Sequence, residues 1–190
     1  MAKHSDRIAA RDHRQQQKLI KLNGMPPTRA FRVKLQYLMA LEIQDILCFA
    51  AREGLPFGSM VILRTGIETL AQGLWWWRCA TDEEAKGTSV PGIPGTLEKI
   101  VAALPEQERS YFAFLDTSVV EDPGGDVQRM LLRDVLNPIA HGDALTAANR
   151  IGSAAHHPDG AVLWETKALE YFQKLVHFFE ATVGVECLRI

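Results

Sequence analysis

Apolar residues recur every three or four positions through most of this chain, the period of an α-helix that hides one side. Over residues 28–53 the stripe runs Phe31, Leu35, Leu38, Met39, Glu42, Ile46 and Phe49. It predicts a long helix with Thr28 as N-cap, Gly54 at its C-terminal end and Pro56 as a stop. Over 59–80, Ile62, Ile67, Leu70, Leu74 and Trp75-Trp76-Trp77 predict a second, more apolar helix capped by Ser59. Thr81-Asp82-Glu83-Glu84 reads as a new turn or a capping box. Thr96 is expected to cap a short helix to Leu104, and Pro105 to sit in the first turn of another reaching about Asp116. Asp126 is expected to cap a helix over 126–142. A last helix over about 163–183 would bury Leu169, Phe172, Leu175, Val176 and Phe179. Residues 87–95 and 121–125 are Gly/Pro-rich loops, and 143–160 look irregular or partly helical. No segment alternates with period two for long enough to predict a sheet. The fold class expected is all-α: a single domain over 28–190, built as a bundle of four main helices with short connecting helices. A basic helical arm over 1–27 precedes it.

Three consecutive tryptophans cover about 200° of a helix surface and cannot all face one narrow core stripe. One or two belong to the core. The remainder is available to a second subunit, a later segment or a ligand, which makes Trp75, Trp76 and Trp77 a candidate interface and a homodimer the expected partner state.

Composition adds limits. At 190 residues the chain suits one domain with a real core. No apolar run approaches the ~18–20 residues of a membrane helix, so no membrane partner is expected. The charged N-terminus lacks the apolar region of a secretory signal. Cys48, Cys79 and Cys187 make neither a CxxC pair nor a disulfide framework, and a reducing cytoplasm is the natural location.

The formal net charge of −2 hides an asymmetry. Residues 1–34 carry nine Lys/Arg against Asp6 and Asp12, and the rest carries twelve against twenty-one Asp/Glu. Within the arm, Arg7, Arg11, Arg14, Lys18 and Lys21 fall four, three, four and three apart, one continuous stripe on a helix. The matching apolar face is thin, only Ile8, Leu19 and Leu22. Two readings stand: an arm packed on the chain's own or a second subunit's acidic surface, or an arm that contacts phosphates.

Two constellations could carry chemistry. Arg133, Asn137 and His141 are four and four apart and share a face if the helix continues, about 12 Å from first to last. Pro138 kinks or restarts that helix, so Asn137 could equally serve as an N-cap. Histidine can accept a proton near neutral pH and arginine can hold a phosphate, the needs of a ribose 2′-hydroxyl attacking its own phosphate. A histidine that caps a kinked helix is the structural alternative. Arg64 and Glu68, four apart in the most apolar helix, form either a fold-specifying ion pair or part of a pocket shared with His141. Neither His156-His157 nor the 87–95 loop completes a metal or nucleotide motif, and no cofactor or metal is expected.

The stretch Leu136-Asn137-Pro138-Ile139-Ala140-His141-Gly142 resembles the HEPN-type signature Arg-Asn-x-Ile-x-His-Gly. Its arginine position holds Leu136 here, with Arg133 three residues earlier. Arg64-x3-Glu68 followed by a later His-Gly element is also similar to uncharacterised bacterial all-helical families, where polar residues such as Asp143, Asn149 and Arg150 would follow. The resemblance covers roughly 30–180. It implies a helical domain that pairs so that two histidine motifs meet. It further implies RNA binding or metal-independent RNA cleavage, in a stress or phage-defence setting, with an antitoxin or other protein as a further partner. The contrasting expectation is a catalytically inert helical module that dimerises or binds a partner through Trp75–Trp77.

Overall fold

A computed structural model describes residues 26–86, 95–112, 119–121, 127–129 and 160–189. The fold is all-α. Among the described residues the helices are α1 (Arg29–Arg52), α2 (Pro56–Arg78), α3 (Asp82–Lys86), α4 (Leu97–Ala103), α5 (Glu106–Phe112), α6 (Gly160–Val183) and α7 (Val185–Leu188). A minimal antiparallel ladder pairs β1 (Val119–Glu121) with β2 (Val127–Arg129), Val120 facing Gln128.

α1 begins where Thr28 takes an extended conformation and its hydroxyl accepts the Phe31 amide. It ends in a Schellman turn: Gly54 adopts φ +65°, and the Leu55 amide reaches back to the Ala50 carbonyl at 2.9 Å. Pro56 then opens α2 at its first position, where a missing N–H costs nothing. Ser59 is therefore not the cap it was expected to be. It lies one turn inside α2, buried, with its hydroxyl donating to the Leu55 carbonyl at 3.0 Å. Thr81 and Glu84 close the expected capping box: Thr81 N donates to Glu84 Oε2 at 2.7 Å and Glu84 N to Thr81 Oγ1 at 3.2 Å. Thr96 caps α4 through the Lys99 amide.

The short elbow makes α1 and α2 an antiparallel hairpin. Arg29 donates to the Ala80 carbonyl, Arg32 stacks over Trp76, Gln36 meets Gln72, and Ile43 approaches Gly66. The two residue numbers of each such pair sum to 108 or 109. α6 lies across both, parallel to α2. Gly66 and Gly73 of α2 stand seven residues apart, as do Phe172 and Phe179 of α6. Each ring occupies the space of a missing side chain: a Cβ on Gly66 would come within 2.5 Å of Phe172 and one on Gly73 within 2.6 Å of Phe179. This is knob-into-hole packing with the holes supplied by absent side chains.

The buried face of α1 differs from the expected stripe. Val33, Ala40, Ile43, Leu47 and Ala50 face the core, whereas Met39, Ile46 and Phe49 are 41, 45 and 56 % exposed. The helix carries two apolar arcs about 130° apart. The small alanines lie on the inner one, because they let α2 and α6 approach closely. Periodicity reports an arc, not which neighbour covers it.

A second correction concerns residues 126–142. β2 takes Val127–Arg129, so no helix starts at Asp126. Valines flank the Pro-Gly-Gly stretch and favour a hairpin there. Residues 130–159 lie outside the described residues. Three long helices are therefore described, not the four of the expected bundle. No described helix is long and apolar enough to cross a membrane.

Candidate functional site

Arg64 and Glu68 form the charged site the sequence pointed to. One turn apart on α2, they meet at 2.9 Å, with Arg64 Nε donating to Glu68 Oε1 and Nη2 at the same distance from that oxygen. The Arg64 side chain is only 14 % exposed and that of Glu68 35 %. A guanidinium so far out of water needs a carboxylate beside it, and the i,i+4 spacing supplies one with no long-range fold constraint. The pair belongs to a line on α2, Arg64, Glu68, Ala71, Trp75 and Arg78, spaced four, three, four and three. The line thus carries a charge at each end, about 21 Å apart.

At the far end, Arg78 Nε donates to Glu108 Oε1 of α5 at 2.6 Å. Glu108 is buried, and its Oε2 finds no partner among the described residues. Beside it the Cys79 thiol donates to the Ala103 carbonyl at 3.4 Å. Burial first, and the Glu108 charge second, push the Cys79 thiol up. This thiol is protonated and poorly nucleophilic.

A further polar cluster joins α1 to α6. Tyr37 donates to Glu180 Oε1, and His177 Nδ1 lies 3.3 Å from Glu180 Oε2. Burial, then the hydrogen bond to Glu180 and its charge, hold Tyr37 well above the usual tyrosine range. Tyr37 therefore serves as a donor rather than a base. Its ring stacks on Phe179 with centroids 6.0 Å apart. Neither cluster was legible beforehand, because its members lie 30 and 143 residues apart.

For Trp75 and Trp76 the interface reading requires a correction. Trp75 and Trp76 are buried within the chain itself, meeting edge-to-face with centroids 5.2 Å apart. Arg32 lies 4.6 Å over Trp76 and also donates to the Ala85 carbonyl. Trp77 is half-buried against the same core. α4 packs against α2, and Leu97, Ile100, Leu104 and Phe112 belong to the same core cluster as Trp75 and Trp76.

The remaining candidates lie outside the described residues. These are Arg133, Asn137, His141, Asp143 and Arg150 in the later segment, and Arg7, Arg11, Arg14, Lys18 and Lys21 in the arm. Among the described residues no group of three or more His, Cys, Asp or Glu could hold a metal ion. No family model, no curated protein and no solved structure matches the chain.

Proposed function

We propose that this chain is an HEPN-like RNA-directed protein that binds RNA or cleaves it without a metal. His141 takes the proton of the 2′-hydroxyl, and Arg133 is the cation on the phosphate it attacks. The new 2′-oxygen bond closes a 2′,3′-cyclic phosphate as the bond to the 5′-oxygen breaks, and that oxygen leaves as a hydroxyl with a proton returned to it. Asn137 holds the polar position between Arg133 and His141. The observation that carries the reading is the Asn137-Pro138-Ile139-Ala140-His141-Gly142 stretch with Arg133 upstream. Support comes from Arg64 and Glu68, a pre-formed pair on the most central helix. Cleavage of this kind needs a base near neutral pH and a fixed positive charge, and neither requires a cofactor. Two copies associating so that their motifs meet, in a cytoplasmic stress or phage-defence role with an antitoxin as regulator, complete the proposal.

The test is RNA cleavage in EDTA by the wild-type chain and by His141→Ala and Arg133→Ala, each verified as folded by circular dichroism. Cleavage lost in both variants is the expected result. Cleavage that survives His141→Ala refutes the role given to the histidine. Absence of both cleavage and salt-sensitive RNA binding in the folded wild type refutes RNA as the partner.

A further inference from the structure

His177 stands on the exposed side of α6. Its side chain is 78 % exposed, and its Nδ1 lies 3.3 Å from Glu180 Oε2, one turn further along the helix. A surface pair at this spacing is ordinary when its carboxylate is free to turn. Glu180 is not free: its other oxygen, Oε1, accepts the Tyr37 hydroxyl of α1, and its side chain is 26 % exposed. A residue of a different helix thereby pins the carboxylate. A carboxylate has no proton to give, so in this contact Nδ1 donates. That fixes the tautomer and leaves the lone pair of the neutral ring on Nε2, directed away from Glu180. One turn earlier, Lys174 is exposed and has no hydrogen bond or ion pair among the described residues. Residues three apart on a helix are neighbours, so a cation, an imidazole and a carboxylate follow one another at 174, 177 and 180.

We propose that His177 is a phosphoryl-accepting residue, modified at Nε2 by a donor of the phosphoramidate class. Nε2 attacks phosphorus, the new N–P bond forms as the donor's own P–N bond breaks, and the donor nitrogen leaves with the electron pair as an amine. The phosphorylated ring then carries a positive charge. It releases its Nδ1 proton, shared until then with Glu180, through water to that amine. The bond broken and the bond formed are of one kind, so the transfer needs no further driving reaction. In-line displacement requires free approach at Nε2, which the exposed ring provides. Lys174 meets the negative oxygens of the incoming phosphoryl group. Glu180 orients the ring and Tyr37 holds Glu180 in place. This modification is independent of the RNA-directed reading, which uses none of these residues.

The test treats the full chain with potassium phosphoramidate at pH 8, reading each histidine by peptide mass spectrometry and the linkage by phosphorus NMR. His177 should react about fivefold faster in the folded chain than in the same chain unfolded in urea, with the phosphoryl group on Nε2. Folding ordinarily shields a side chain, so a faster folded rate reports the arrangement and not mere exposure. Lys174→Gln should lower the folded rate about threefold. Glu180→Gln, whose amide can donate as well as accept, should release the tautomer and give a mixture of Nδ1 and Nε2 linkages. A folded rate at His177 no higher than the unfolded one, or a linkage to Nδ1 in the wild type, would overturn the proposal. An unchanged rate in Lys174→Gln, or an unchanged linkage in Glu180→Gln, would overturn it as well. The wild-type comparison and Lys174→Gln, at an exposed position, keep the test decisive if Glu180→Gln does not fold.

Discussion

Gly66→Ala should destabilise this protein even though alanine is the better helix former. In an exposed helix the substitution is worth about 1 kcal/mol of stability through backbone entropy and propensity. At Gly66 the added methyl would lie 2.5 and 2.7 Å from the Phe172 ring and 2.8 Å from Ile43 Cγ2. Ordinary carbon contacts lie near 3.5–4.0 Å, so the ring must withdraw by about 1 Å. Phe172 is fully buried, so its ring can withdraw only by displacing neighbours. Overpacking of this kind costs roughly 1–3 kcal/mol, and three simultaneous clashes place the cost at the upper end. The net expectation is a loss of about 1–2 kcal/mol. Urea unfolding should then show a midpoint lowered by about 0.5–1 M, taking a slope near 2 kcal/mol/M. Gly58 is the control, since it lies in the same helix and, among the described residues, a Cβ there would meet Leu55 Cβ alone, at 4.0 Å. Gly58→Ala should leave stability unchanged or raise it by up to ~1 kcal/mol. The clash should also couple to its partner: in a Phe172→Leu background, Gly66→Ala should cost at least ~0.5 kcal/mol less. A stabilised Gly66→Ala, or an identical cost in both backgrounds, would refute the ring-in-hole account.

Three further outcomes follow from the charged and titrating groups. Tyr37 and Tyr171 are both held above the free tyrosine value, burial being the main cause for each. A raised native pKa keeps its stabilisation below about pH 10 and loses it as the unfolded chain ionises above that value. Phenolate absorbance at 295 nm from these two should therefore appear with unfolding rather than before it, and early ionisation in the folded state would contradict their burial. Arg64→Ala strands a part-buried Glu68 and should cost about 1–3 kcal/mol, between the surface and buried extremes for ion pairs. A denaturation midpoint equal to wild type would show the pair to be dispensable. Glu108→Gln removes a negative charge beside Cys79, so alkylation of that thiol at pH 8 should speed up roughly two- to fivefold. An unchanged rate would leave burial as the sole cause of its inertness.

Sequence alone determined the local features of this chain, because their causes are local. The Thr28 and Thr96 caps, the Thr81–Glu84 box, the glycine that ends α1 and the i,i+4 pairing of Arg64 with Glu68 each depend on residues within one or two turns. The inner face of α6 was legible for a related reason: only one of its arcs is strongly apolar. Tertiary structure decided what a single helix cannot specify about itself. α1 offers two apolar arcs, and the inner one was chosen by how closely its alanines let α2 and α6 approach. Of the three tryptophans, packing placed Trp75 and Trp76 in the core and left Trp77 half-buried. Glu108 beside Arg78, and Tyr37 beside Glu180, became neighbours only when the helices packed, since side chains far apart in sequence meet through packing geometry and not through periodicity.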